Sequence, residues 1–443
     1  MTVPSSLLRR RHRRGFTLVE LMISLVMGLV VAMAAVGLAK TATTTFHEQA
    51  RSSVTEMAVR TASERLRADL SRISYMSTGN IALDPKVAHR PGAAPVDVAR
   101  YAAISSLRGV RITPNDPTTT SSVATANGLS ADSIDMVGNM ATDDQYTGTI
   151  FTGGGGTCNQ IVRLDPLADA AVYALAAGDL TNTAGKYLAA AQVAFRPTAT
   201  ANYLAQVTDA VGCNHYVPVC SVGMAVGPSA NYLLIGLDAA GQPDARAVIY
   251  ANSGDGLSVA NNCGSSELGQ VTIAPLAHVR WSLAANANTT LAADGNASFN
   301  LVRQRLDFSG NAVPGVSPEI IAEYAVDLKF GITYMNPTAA PYTYRTLVAD
   351  MDDTASAATI NQVTGQTLYA AGTAGPQHVR SVRYRLAVRT SLPDRDQNLP
   401  TGNAGYLARY CVDGSAAATC RKWSRVRTVV SEVSLQNQAG MSW

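Results

Sequence analysis

The hydrophobic pattern of the chain begins with a long apolar run between residues 16 and 39. As an α-helix, this run would rise about 36 Å, enough to cross a hydrocarbon core of about 30 Å. One carboxylate, Glu20, interrupts the run near its start. A charged side chain inside a bilayer costs roughly 2.5–3.5 kcal/mol even on lenient insertion scales, so we expect Glu20 to have a partner.

A helical pattern continues beyond the apolar run, because apolar residues recur every three or four positions with charged residues between them. This spacing predicts an amphipathic helix to about Tyr75 that is continuous with the membrane segment. We expect its apolar stripe to pack on a sheet formed by the rest of the chain. The stripe comprises Phe46, Ala50, Val54, Met57, Thr61, Leu66, Leu70 and Ile73.

Strand patterns are scattered through the rest of the chain. The clearest are residues 326–332 and 382–388, where apolar and polar residues alternate with the period of a half-buried strand. Strands that follow a single long helix favour an α+β fold with an antiparallel sheet. Further candidate strands are residues 133–137, 232–237, 247–250, 278–283, 301–306 and 425–435.

The whole chain has a net charge of +3, and its positive charge is concentrated at the start. Residues 1–15 contain five arginines and no acidic residue, and without them 30 Lys and Arg face 32 Asp and Glu. The body is therefore not basic, which disfavours a nucleic-acid partner. Arginines directly before an apolar helix hold the N-terminus in the cytoplasm, so we expect the body on the other side.

All six cysteines lie beyond the apolar run, where an extracytoplasmic location would permit disulfides. The close pairs Cys213/Cys220 and Cys411/Cys420 are the natural candidates for local disulfides, although six cysteines allow fifteen complete pairings. A zinc site is the alternative, but the sequence has no C-x-x-C or H-x-x-x-H spacing. We therefore predict structural disulfides and no metal.

Other polar motifs do not add up to a catalytic site. The glycine run at residues 153–156 lacks the Lys-Ser/Thr of a phosphate loop. Asp350, Asp352 and Asp353 lack the glycine and the distal glutamate of a calcium loop. We therefore expect no enzyme and no cofactor. A solvated sheet face is the prediction, with an anionic binding surface as the alternative, for a group of four arginines, Arg380, Arg383, Arg385 and Arg389.

The segment RGFTLVE at residues 14–20 resembles the processing site of type IV prepilins and type II secretion pseudopilins. In that family a prepilin peptidase cuts after the glycine and N-methylates the new first residue. The resemblance implies cleavage between Gly15 and Phe16 and methylation of Phe16. The family's glutamate, matched by Glu20, approaches the amino terminus of a neighbouring subunit during filament growth. Such an ion pair offsets much of the cost of burying the carboxylate.

The later segments resemble the PilW-type minor pilins of bacterial type IV pili. They are EIIAEYAVDLKFGITY, HVRSVRYRLAVRT and RVRTVVSEVSLQNQ, in that order after the motif-bearing helix. The resemblance implies a pilin-like α+β fold, with a long N-terminal membrane-anchored α-helix packed on an antiparallel β-sheet and an enlarged β-rich C-terminal body. The expected divisions are a cleaved leader at 1–15, a transmembrane and filament-core helix at 16–39, a periplasmic amphipathic helix at 40–76, a connecting loop region at 77–130 and a globular body at 131–443.

The resemblance implies a minor pilin that primes or caps assembly of a type IV pilus within a minor-pilin complex at the tip. The implied partners are prepilin peptidase, other minor pilins, the major pilin, the inner-membrane assembly machinery and a tip adhesin. The implied location is the inner membrane, crossed once with the body in the periplasm, and then the pilus fibre or tip. Two alternatives stay open: a minor pseudopilin of type II secretion, and a tip-located subunit that binds or adheres.

Overall fold

The computed structural model contains a long N-terminal helix and a large β-rich body. Its residues divide into two compact units, with the boundary between Val54 and Thr55. The described residues are 17–81, 84, 86–87, 104, 106–118, 127–142, 145–152, 158–164, 188, 191–195, 203–209, 212–226, 231–239, 270–285, 298–337, 343–346, 353–365, 374–394, 406–413 and 419–441.

The predicted helix is present as one continuous element, α1, at Leu18–Ser71. It ends slightly before Tyr75, because residues 72–76 form turns. Its buried face after Thr55 includes Val59, Ala62, Leu66 and Leu70, at the three- and four-residue spacing of one side of a helix.

The predicted apolar stripe is confirmed only in its last part. Leu66, Leu70 and Ile73 are fully buried, whereas Phe46 and Met57 are 68% and 72% exposed. Val54 and Thr61 are exposed as well. The buried side of the helix is displaced toward small residues, because Thr55, Ala62 and Ser63 let the body approach the helix closely.

Two five-stranded arrangements flank the buried part of α1, and every pairing between their strands is antiparallel. The first has the order β1-β2-β8-β9-β10: β1 Val110–Thr113, β2 Ser133–Gly138, β8 Gln270–Ala285, β9 Phe299–Leu306 and β10 Glu319–Ala322. The second has the order β12-β11-β13-β15-β14: β11 Ala325–Asn336, β12 Thr343–Thr346, β13 Val379–Arg389, β14 Arg409–Cys411 and β15 Trp423–Ser434.

The first half of β8 belongs to a closed ring of six antiparallel strands. β3 pairs with one side of β8 and β5 with the other, and β4, β7 and β6 complete the ring between them. Such closure leaves none of the six strands as a free edge, as in a small β-barrel. The added strands are β3 Tyr146–Thr152, β4 Cys158–Leu164, β5 Leu204–Thr208, β6 Asn214–Val226 and β7 Asn231–Ala239.

The body has two main apolar cores. One lies inside the ring, where Phe195 from a short helical segment stacks near Tyr146, with ring centroids 5.8 Å apart. The other combines the end of α1, both five-stranded arrangements and a second helix, α2 Thr354–Gly365. Within it, the hydroxyls of Ser63 and Tyr384 lie 2.7 Å apart, which ties α1 to β13.

Most predicted strands are confirmed, but the prediction that β11 and β13 are half-buried is wrong. Nearly every residue of both strands is buried. Their polar side chains are paired inside the protein: Arg385 bonds Asp327, and Lys329 Nζ lies 3.0 Å from Asp132 Oδ1. The candidate strand at 247–250 lies outside the described residues, and β1 falls within the predicted connecting region.

The predicted solvated face of arginines is also wrong for two of its members. Arg385 is buried beside Asp327, and Arg389 is only 2% exposed. The guanidinium of Arg389 lies 5.1 Å from the ring of Tyr324 and 5.9 Å from that of Tyr410. Aromatic rings and backbone carbonyls therefore replace water around this charge.

The disulfides differ in part from the predicted pairs. Cys411 is bonded to Cys420 as predicted, but Cys220 is bonded to Cys158. Cys213 is also disulfide-bonded, so the predicted Cys213/Cys220 pair is wrong. Cys158 and Cys220 lie on β4 and β6, which flank β7, and Gly236 of β7 lies beneath the disulfide. A Cβ at Gly236 would come within 2.5 Å of the Cys158 sulfur, so glycine leaves the room that this bond needs.

Candidate functional site

The candidate site is the start of α1, where the chain presents an apolar helix. Among the described helices, α1 is long and apolar enough to cross a bilayer. Its first half exposes its apolar side chains instead of burying them in the protein, as a helix surrounded by lipid or by other helices does. Gly15 and Phe16, the predicted cleavage residues, lie outside the described residues.

Glu20 is held against the residue that precedes the helix. Its Oε2 accepts hydrogen bonds from the backbone N–H of Thr17 at 3.1 Å and from the Thr17 hydroxyl at 3.2 Å. In return, the backbone N–H of Glu20 donates to Oγ1 of Thr17 at 3.2 Å. This reciprocal arrangement is a capping box, which satisfies backbone donors that the first helical turn would leave open.

The capping box explains how the chain can keep this carboxylate at the membrane. Glu20 lies in the first turn, where the helix dipole favours a negative charge. Both hydrogen bonds reach Oε2, and no described residue donates to Oε1. Oε1 can therefore accept a hydrogen bond from another donor. The geometry therefore suits a carboxylate that is stabilised by its own chain and can also bind a cationic group from another subunit.

The helix also exposes apolar residues beyond the membrane segment. Phe46 and Val54 are 68% and 69% exposed in the first unit, and Met57 is 72% exposed in the second. They lie on the part of α1 that the sequence predicts to be periplasmic. Large apolar side chains at helical spacing provide a surface on which other helices can pack.

The predicted disulfide Cys411–Cys420 fastens the end of β14 rather than forming a reactive centre. The side-chain amide of Asn127 donates to the carbonyl of Cys411 at 3.0 Å, and its oxygen accepts the Cys411 N–H at 2.8 Å. Asp413 lies beside both sulfurs, but the disulfide leaves no thiolate to bind a metal.

Asp353, part of the calcium-like motif, has a local role. Its carboxylate accepts the N–H groups of Ala355 at 3.3 Å and of Ser356 at 3.1 Å, at the start of α2. These hydrogen bonds lower the pKa of Asp353. The residue is therefore a helix cap, while Asp350 and Asp352 lie outside the described residues.

Comparison with known proteins identifies the N-terminal segment alone. A family model described as "Prokaryotic N-terminal methylation motif" matches residues 10–36, which include four of the five N-terminal arginines, the Gly15–Phe16 junction, Glu20 and most of the apolar run. No curated protein and no solved structure matches the chain. The motif supports a membrane-anchored, pilus-associated protein, a type IV pilin-like or pseudopilin-like substrate of prepilin peptidase.

Proposed function

We propose that this protein is a PilW-type minor pilin that primes or caps assembly of a type IV pilus within a minor-pilin complex at the tip. Prepilin peptidase cuts between Gly15 and Phe16, and Phe16 is then N-methylated. The chain works as a structural subunit and not as an enzyme. The observation that carries the proposal is the methylation motif on a helix whose apolar side chains are exposed.

The mechanism rests on the charge that cleavage creates. Before cleavage, Thr17 is the polar partner of Glu20. Cleavage after Gly15 produces a positive amine at Phe16, and the same amine on a neighbouring subunit provides the cation that Glu20 can accept. An ion pair in an apolar helix bundle fixes the axial register of the helices, because only one alignment brings the two charges together.

The body would select the partners of the subunit. The end of α1 is fixed to the body by buried contacts such as Ser63 with Tyr384. The surface of the body around this end of the helix would then contact neighbouring subunits. The exposed Phe46, Val54 and Met57 offer further apolar contact to neighbouring helices.

A tip-located binding subunit is the second candidate, and the six-stranded ring favours it. This ring occupies the middle of the chain and has its own apolar core, separate from the core that packs on α1. Helix assembly through Glu20 does not need this ring. Surface binding by the ring is compatible with either a pilus or a type II secretion pseudopilus.

The test is a pair of substitutions at Glu20 in the native host. Glu20→Ala removes both the charge and the cap, whereas Glu20→Gln keeps a group that can bond Thr17 but carries no charge. We expect both variants to lose surface pili and to lose co-purification with other minor pilins. Glu64→Ala, which changes an exposed carboxylate on the same helix, is the matched control and should leave both unchanged.

The mass of the mature chain, measured first, shows whether cleavage and methylation still occur. Normal pili in both Glu20 variants, with normal processing, would contradict the proposed assembly role. Normal pili together with loss of a secreted enzyme would instead identify a type II secretion pseudopilin. Co-purification with the wild-type chain distinguishes the same two functions: pilus subunits would indicate a minor pilin, and secretion subunits would indicate a pseudopilin.

A further inference from the structure

A small basic pocket lies on the body, where β1, β2 and β8 meet the turn that follows β9. Its lining combines polar and charged side chains with the backbone of that turn, and its volume is about 130 Å³. One buried water needs roughly 10–15 Å³, so the pocket can hold a small molecule. The residues that carry the argument are Arg108, Arg111, Asp135, His278 and Arg280.

Three charged residues of the lining form a row across the neighbouring strands β1, β2 and β8. Arg111 on β1 is the cross-strand partner of Asp135 on β2, and Asp135 is the partner of Arg280 on β8. Directly opposed residues point to the same face of a sheet. Arg280 binds Asp135 through two hydrogen bonds of 2.6 and 2.8 Å, so the single carboxylate of the lining is already paired.

Two arginines of the pocket, Arg108 and Arg111, form no ion pair with a carboxylate of the described residues. Arg111 is exposed, whereas Arg108 is only 7% exposed. Nη1 of Arg108 donates to the carbonyl of Thr364 at 3.4 Å, but its buried Nε has no hydrogen-bond partner. Burial and the charge of Arg111 lower the pKa of Arg108 to about 10, which indicates a charge that its surroundings do not compensate.

The other groups around the pocket do not supply that compensation. The carboxylates of Asp116 and Asp307 lie nearby but outside the lining, and each accepts hydrogen bonds from its own turn. Nδ1 of His278 lies 3.0 Å from the carbonyl of Asp307 and must donate to it. Burial lowers the pKa of His278, so this imidazole is neutral at pH 7 and adds no charge.

We propose that this pocket binds a small oxyanion, a phosphate or sulfate group, between Arg108 and Arg111. An oxyanion between these side chains would reduce the repulsion between the two guanidiniums. Guanidinium groups bind such anions through charge-assisted hydrogen bonds. The site is independent of helix assembly, because Glu20 and the exposed face of α1 take no part in it.

The test is calorimetric titration of the full-length chain in neutral detergent at low ionic strength, with inorganic phosphate as the probe. We expect saturable binding to one site. Arg111→Gln should weaken it about tenfold or more, because a charge-assisted hydrogen bond is lost. Arg345→Gln, at an exposed arginine of β12, makes the same change of charge elsewhere and should leave binding unchanged.

A second probe, glycerol 3-phosphate, distinguishes free phosphate from the phosphate group of a larger molecule. Tighter binding of this probe than of phosphate would show that the pocket accepts a phosphate carried on a larger ligand. Arg108→Lys, which keeps the charge but removes the planar guanidinium, should weaken binding of both probes in a chain with unchanged circular dichroism. Absence of saturable binding for both probes, or equal binding by the Arg111 and Arg345 variants, would overturn the proposal.

Discussion

Asp69 accepts a hydrogen bond from the indole Nε1 of Trp281 at 2.9 Å, which joins the end of α1 to β8. The same carboxylate oxygen accepts Nε of Arg303 at 2.6 Å. Trp281 is fully buried, and Asp69 and Arg303 are 6% and 8% exposed. One carboxylate on the helix therefore satisfies an indole and a guanidinium of the body, away from water.

Replacement of Asp69 by alanine should destabilise the body strongly. Among the described residues, the change leaves the buried guanidinium of Arg303 with Glu319, 3.7 Å away, as its remaining carboxylate partner, and it leaves the Trp281 indole without its acceptor. Breaking a buried ion pair costs about 3–5 kcal/mol. Urea unfolding of the full chain in detergent would measure the loss. Glu64→Ala removes an exposed carboxylate of the same helix, and an equal effect of both substitutions would contradict this account.

The sequence predicts those parts of the molecule whose causes are local. The apolar run, the Gly15–Phe16 junction and Glu20 are enough to predict the long apolar helix and its motif. The strands can also be recognised in the sequence pattern, since β9, β11 and β13 contain predicted segments and β15 overlaps one. The sequence pattern does not indicate which strands pair with each other, because pairing depends on contacts between distant parts of the chain.

The six-stranded ring illustrates this limit. It closes because β8 is long enough for Ile273 to pair with both Tyr146 of β3 and Val207 of β5. The strand pattern of the sequence indicated only residues 278–283 of β8, which lie beyond the ring. Polar residues such as Asp327 and Lys329 were equally ambiguous, since a side chain paired inside the protein and one facing water give the same alternation.

His378 should make the stability of the body depend on pH. Its Nδ1 accepts the backbone N–H of Gly375 at 3.0 Å, and the side chain is buried. Burial, with a contribution from the charge of Arg380, lowers the pKa of His378 from its ordinary 6.5 to about 4. Because the unfolded chain takes up a proton near pH 6.5 and the folded chain does not, this contribution to stability is present above pH 6.5 and is lost as the pH falls toward 4.

The variant His378→Asn isolates this contribution, because asparagine keeps an acceptor for Gly375 and does not titrate. The free energy of unfolding of the wild-type chain should fall between pH 7 and pH 4 by roughly 1–3 kcal/mol more than that of the variant. Urea unfolding at several pH values provides the comparison. Parallel pH profiles for the two chains would show that His378 does not contribute.

The two described disulfides should contribute unequally to stability. The Cys158–Cys220 bond closes a loop with a sequence separation of 62, whereas Cys411–Cys420 spans 9. In the chain-entropy account these bonds contribute about 4 and about 2.5 kcal/mol, since the longer loop restricts the unfolded chain more. Double substitution of each pair by serine, followed by urea unfolding, measures the order.

Peptide mapping without reduction tests the pairing itself. A peptide pair that contains Cys158 and Cys220 should be recovered from the wild-type chain. Recovery of a peptide pair that joins Cys213 to Cys220 would contradict the structure. A larger loss of stability from the Cys411/Cys420 substitutions than from the Cys158/Cys220 substitutions would contradict the loop-length argument.

Thr17 should control how well Glu20 is presented for assembly, a prediction that rests on the proposed function. Thr17→Val keeps the shape of the side chain but removes the hydroxyl that bonds the Glu20 carboxylate and backbone N–H. Loss of such a cap costs about 1 kcal/mol, which would lower the population of correctly oriented Glu20 severalfold. Pilus number and recovery of partner pilins should therefore fall partially, and less than in Glu20→Ala.

The matched control is Thr17→Ser, which keeps the hydroxyl and should assemble normally. Processing is verified from the mass of the mature chain, because Thr17 lies next to the cleavage site and a poor substrate would also lack pili. If the valine and serine variants are processed equally and assemble equally, the hydroxyl has no role in presenting Glu20. If the valine variant loses pili as completely as Glu20→Ala, the cap and the charge are both indispensable, and the partial effect predicted from the cost of a single cap is wrong.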